Sequence, residues 1–156
     1  MNQTASFNPS AQILIEKDVA VPMRDGAMLM ADVFRPKDGG RVPAILNLGP
    51  YQKDKVWIPP DTLEEKPNEW MNWETVNPLW WVPQGYAAVR VDGRGSGKSQ
   101  GQCEPWSLAE SIDFYDAIEW AAAQPWCNGK ATPEADVVFF TVKDASYGLH
   151  GIKKAD

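Results

Sequence analysis

The chain has 156 residues, 44% of them apolar and 23% charged, with a formal net charge of −6 at pH 7. A chain of this length is one domain by default and buries about 70% of its unfolded surface. The acidic balance excludes the basic footprint of a nucleic-acid binder, and no run approaches the ~18 apolar residues of a membrane span.

The opening residues, MNQTASFNPSAQ, hold no basic leader followed by an apolar run. No signal peptide is expected, and the chain reads as cytoplasmic. Two apolar-rich runs follow, ILIEKDVAV at 13–21 and MLMADVF at 28–34, around MRDG. Asp25-Gly26 favours a tight turn between them, so the spacing predicts an antiparallel hairpin. PAILNL at 43–48 runs into Gly49-Pro50 and reads as a buried strand ending in a turn.

Residues 51–84 form a long irregular stretch rich in Pro, Trp and charge. Loops of such length are functional or disordered, and the tryptophans favour an ordered, packed insertion. YAAVRVD at 86–92 predicts a second buried strand. After a glycine-rich loop, SLAESIDFYDAIEWAAAQ at 107–124 predicts a helix, with Ser107 and Glu110 spaced as a capping box. Leu108, Ile112, Tyr115, Ile118 and Ala122 recur at helical spacing as its expected apolar stripe. Pro125 ends it, and VVFFTV at 137–142 predicts a last strand. Strands and a helix in this order predict an α/β sheet with an antiparallel edge. Eight Trp, five Phe and four Tyr are a dense aromatic set, used for core packing or to line an apolar pocket. Cys103 and Cys127 give no disulfide framework and read as small buried hydrophobes. With His150 the only histidine, no zinc cluster is expected; neither metal nor cofactor is implied.

The loop VRVDGRGSGKSQG at 89–101 holds two overlapping signatures. Gly97-Lys98-Ser99 matches the end of a phosphate loop, but that motif needs its first glycine at position 92, where Asp92 stands. A carboxylate there repels phosphate. Gly97-Lys98-Ser99-Gln100-Gly101 also reads G-x-S-x-G, the nucleophile elbow of serine hydrolases. That elbow places its serine where a strand meets a helix, whereas Ser99 sits between a strand ending near Asp92 and a cap at Ser107. Neither signature fits its context.

Asp92-Gly93-Arg94-Gly95 followed by Gly97, Ser99 and Gly101 instead resembles a structural loop common in α/β-hydrolases, tied by its Asp and Arg. With "VPMRDGAMLMADVFRP", "PAILNLGPYQKDK", "NPLWWVPQGYAAVRVDGRGSGKSQG" and "DFYDAIEWAAAQPWCNGK", the chain resembles the N-terminal part of the CocE/NonD family from about residue 15 to 130. These are acyl esterases related to cocaine esterase and Xaa-Pro dipeptidyl-peptidases. The resemblance implies an α/β-hydrolase-type sheet with an N-terminal antiparallel hairpin, incomplete here. It also implies a small ester or amide substrate. Tyr51 of Pro50-Tyr51 occupies the place of the family's oxyanion-hole tyrosine.

Past residue 130 the resemblance lapses, which divides the chain into a hydrolase part, 1–130, and a divergent tail, 131–156. The family's G-x-S-Y serine has no counterpart at its usual spacing. Ser146, in Asp144-Ala145-Ser146-Tyr147-Gly148, is the nearest candidate nucleophile, without the glycine two residues before it. After it come only His150 and Asp156, which do not draw a complete Ser-Asp-His triad. Two readings therefore stand: a serine hydrolase of esters or amides, or a catalytically inactive truncated hydrolase fragment or interaction module lacking the triad. A sheet stopping at these strands exposes unpaired backbone groups along an apolar edge, so self-association is expected. Gel filtration should show species larger than the monomer; a sharp monomer peak with cooperative melting would contradict this.

Overall fold

Asp25-Gly26 reverses the chain as its composition requires. Gly26 takes φ +90°, Met23 N–H donates to Ala27 O at 2.8 Å, and Asp25 Oδ1 accepts from Ala27 N–H. In this computed structural model, residues 12–55, 68–72, 75–129 and 138–139 are described. The reversal joins β1 (Ile13–Pro22) to β2 (Met28–Pro36), paired antiparallel. Further along come β3 (Ala44–Gly49), α1 (Pro78–Trp81), a 3-10 turn (Val82–Gln84), β4 (Ala87–Asp92), α2 (Leu108–Ala122) and β5 (Val138–Phe139).

The strands lie in the order β1-β2-β4-β3-β5. β2 and β4 are antiparallel, whereas β3 is parallel to β4 and to β5. The fold is thus a partial mixed sheet with the hairpin at its antiparallel edge, as the α/β-hydrolase resemblance implies. All six residues of β4 are buried, as a strand covered on both faces requires. On one face Leu29, Val33, Leu46 and Val89 meet Ala117 and Ala121 of α2. On the other, Phe34, Ile45 and Ala88 meet Val76, Trp81 and Val82.

The stretch after Tyr51 is ordered where it is described, as its tryptophans suggested. Trp70 meets Phe34 edge-on at 5.6 Å, and Trp81 meets Tyr86 at 5.4 Å. Asn77 caps α1 by accepting from Leu79 N–H, with Pro78 at the first helical position. That short helix was not legible as a periodic pattern.

α2 is rotated from the stripe that periodicity suggested. Leu108 is 77% exposed and Tyr115 54% exposed, while Asp113, Ala117 and Ala121 face the sheet. Small alanines let the helix approach closely, and two ion pairs set its rotation. Arg94 binds Asp113 in a fork of 2.8 and 2.7 Å, and Arg24 binds Asp116 at 2.6 Å. Tyr115 lies beneath the Arg24 guanidinium, 5.4 Å away, instead of in the core. Ser107 caps the helix as expected by accepting from Glu110 N–H. The Glu110 carboxylate, however, accepts from Trp106 N–H at 2.7 Å, one residue before the expected partner. Cys127 is buried as expected; Cys103 is exposed, against expectation, and both are free. Among the described residues no helix is long and apolar enough to cross a membrane.

Candidate active site

In an open α/β sheet, ligands gather outside the carboxyl ends of the parallel strands. Here β3 and β4 end side by side at Gly49 and Asp92, and Pro50-Tyr51 turns away immediately beyond β3. The glycine loop after β4 grips that turn. Gly93 N–H donates to Gly49 O at 2.8 Å, and Ser96 Oγ–H donates to Pro50 O at 2.8 Å. Asn72 Nδ2–H donates to Gln52 O at 2.9 Å. Tyr51, held on this turn, is 41% exposed.

The centre of the arrangement is the carboxylate of Asp92, itself 1% exposed. Its Oδ1 accepts from Lys53 N–H at 2.6 Å, and its Oδ2 accepts from Lys98 N–H at 3.3 Å. Burial pushes its pKa upward, with these two N–H donors working against the shift. The loop that spells a phosphate motif therefore folds around a side chain of the protein. A Cβ on Gly97, at φ +52°, would stand 2.1 Å from Asp92 Oδ2, so glycine is required there. Ser99 is equally committed. Its hydroxyl donates to Asp92 O at 2.7 Å and accepts from Met30 N–H at 2.9 Å. That is the role of a loop-stitching serine, as the mismatch of the elbow motif implied. Arg94 ties the loop to α2 through Asp113 and to the hairpin turn through Asp25, at 3.0 Å.

Beside Tyr51 lies a cluster of charges that sequence reasoning did not single out. Lys53 Nζ, its side chain 1% exposed, sits 2.5 Å from Asp18, 3.0 Å from Asp32 and 3.1 Å from Asp54. Lys17 joins Asp32 and Asp54, and Lys98 joins Asp18 at 2.5 Å. A bulge in β1 builds part of this. Lys17 and Asp18 together oppose the single residue Asp32, between the pairs Glu16–Val33 and Val19–Ala31. Asp18, at φ +55°, tolerates the left-handed region better than most residues. The legible signal was a charge within an apolar strand: Asp32 in MLMADVF and Arg90 in YAAVRVD.

Burial works against the Lys53 ammonium, but its bonds to Asp18, Asp32 and Asp54 outweigh it and hold the pKa above the lysine range. The partners respond oppositely. The Lys17 bond leads in lowering Asp54 to about 2, and the Lys53 bond leads in lowering Asp18. Across β2, β4 and β3, Asp32, Arg90 and Asn47 stand in one register row. Arg90 donates from Nη2 to Val76 O at 2.9 Å. Ser146, His150 and Asp156 lie outside the described residues.

Lowered carboxylates contribute stability above their unfolded pKa and lose it as pH falls through the folded value. Asp18, Asp25, Asp54 and Asp116 are lowered, whereas Asp92 is raised and acts in the opposite sense. Urea unfolding should therefore show stability falling between the usual aspartate value of 3.8 and the Asp54 value of about 2. A flat profile there would contradict the cluster.

Comparison with known proteins agrees with this fold. The family profile for X-Pro dipeptidyl-peptidase (S15 family) matches residues 25–132. Cocaine esterase of Rhodococcus sp. (strain MB1 Bresler) is 34% identical over 117 residues, spanning 74% of this chain but 18% of that protein. The crystal structure of a CocE/NonD family hydrolase from Staphylococcus aureus superposes with a TM-score of 0.68 at 40% identity. It covers 76% of this chain, which spans 22% of that one. An α-amino acid ester hydrolase, TM-score 0.60 and 22% identical, shares the fold over 88% of this chain and 22% of its own. This chain thus spans about a fifth of the length of these relatives, and over most of its own length it belongs to the S15, CocE/NonD family of serine hydrolases and esterases.

Proposed function

We propose that the Pro50-Tyr51 turn is the oxyanion-binding part of an acyl-transfer site that hydrolyses small esters or amides. The observation that supports this most is the immobilisation of the turn at the carboxyl ends of β3 and β4 by Gly93, Ser96 and Asp92. A phenol O–H fixed in advance donates to the negative oxygen of a tetrahedral intermediate without reorganising as charge develops. In this reading a serine Oγ attacks the acyl carbon while a base takes its proton. The carbonyl oxygen becomes the oxyanion facing Tyr51, and collapse expels the alcohol or amine. Water then releases the acid from the acyl-enzyme. Ser146 is the residue this reading assigns as nucleophile. The family match ends at residue 132, which supports a boundary near 130 between the hydrolase part and the tail.

Turnover of p-nitrophenyl esters, with labelling by a fluorophosphonate probe, tests the assignment. Tyr51→Phe should lower kcat about a hundredfold with little change in KM, and Ser146→Ala should abolish both turnover and labelling. Labelling that survives Ser146→Ala would remove Ser146 from the site. A Tyr51→Phe variant as active as the parent would remove Tyr51. No turnover and no labelling in the parent would favour an inactive scaffold.

A further inference from the structure

The turn that carries Tyr51 contains a conformation its sequence does not favour. Gln52 takes φ +67°, in the left-handed region that suits Gly, Asn or Asp better than Gln. Such a residue persists only where its surroundings over-determine it. Gln52 O accepts from Lys55 N–H at 3.0 Å within the turn. It also accepts from Asn72 Nδ2–H at 2.9 Å, from a residue 20 positions along the chain.

Asn72 is itself fixed. Asn68 opens a tight turn before it, its Oδ1 accepting from Trp70 N–H at 2.9 Å and its backbone O from Met71 N–H at 3.2 Å. Trp70 seats that turn edge-on against Phe34, and Thr75 Oγ1–H donates to Asn72 O at 3.4 Å. Asn72 is buried, so its amide meets the Gln52 carbonyl with little competition from water. The peptide between Gln52 and Lys53 is thus gripped at both ends. Its N–H is held by the carboxylate of Asp92 and its C=O by the amide of Asn72.

We propose that Asn72 is a positioning residue for Tyr51, keeping Gln52 left-handed and thereby setting the direction in which the phenol leaves the turn. With Lys53 N–H fixed on Asp92, a return of Gln52 to negative φ has to swing Tyr51. An amide suits position 72 because Gln52 offers an acceptor; an ionised carboxylate there has no N–H to give and repels the carbonyl oxygen. The positioning stands on this geometry, and its effect on turnover rests on the oxyanion reading of Tyr51.

Asn72→Asp tests it in the full chain, first by nitrogen-15 relaxation at the Tyr51 amide, which is read whether or not the chain turns over. The parent should give an order parameter near the rigid value of ~0.85 and the variant one below ~0.6. On p-nitrophenyl esters the variant should lose about tenfold in kcat with KM nearly unchanged. In a Tyr51→Phe background it should lose almost nothing further, a coupling that a general loss of stability does not produce. Should Asn72→Asp not melt cooperatively, Asn72→Ala, which removes the donor without adding charge, carries the same expectations. An unchanged order parameter in a folded Asn72 variant, or a kcat loss just as large in the Tyr51→Phe background, would overturn the role of Asn72. A loosened Tyr51 with kcat unmoved by either Asn72→Asp or Tyr51→Phe would instead remove the oxyanion reading and leave the positioning in place.

Discussion

The carboxylate of Asp92 organises the carboxyl end of this sheet. It closes β4, fills the hollow of the glycine loop and receives the backbone N–H of Lys53 from the neighbouring turn and of Lys98 from its own loop. One buried side chain thus fixes the spacing between two loops that share no sequence proximity. Gly97 has no room for a side chain because that carboxylate passes beneath it. Gly93 and Ser96 then hold Gly49 and Pro50 from the other side. Tyr51 is presented from a turn that has little freedom left, as the proposed oxyanion role requires.

The neighbouring ion cluster extends the same constraint across the hairpin. Charges buried this deeply cost more to desolvate than an isolated pair returns, and this arrangement offsets the cost by sharing. Lys53 meets three carboxylates, and Asp32 accepts from Lys53, Lys17 and the Asp18 backbone. The cluster therefore specifies position more than it adds stability. It joins the β1 bulge, the centre of β2 and the turn carrying Tyr51. Arg94 performs the equivalent task on the opposite side, joining the loop to α2 and to the hairpin turn.

The strands, the hairpin and the helix were legible because each has a local signature: Asp25-Gly26, apolar runs bounded by Gly and Pro, and a capping Ser107. The rotation of α2 was not, because its apolar stripe and its buried face are different sets of residues. Ala117 and Ala121 carry little hydrophobic signal, yet their small size is what brings helix and sheet together. The Ser99 and phosphate-loop signatures were dismissed on spacing, and the structure supplies the cause in the bonds of Ser99 and the carboxylate of Asp92. Lys53, Asp18 and Asp54 could not be read as a cluster, since only folding brings residues 18 and 54 together. Tyr51 was singled out through family resemblance and not through any local pattern, and its oxyanion role is the proposal made above.

Native-state hydrogen exchange at the Lys53 amide tests this account most directly. In the parent chain that N–H should be strongly protected, and Asp92→Asn, which keeps the shape but removes the charge, should raise its exchange rate by an order of magnitude or more. Protection at Lys53 that is unchanged in Asp92→Asn would show that the turn bearing Tyr51 is held by something other than the buried carboxylate.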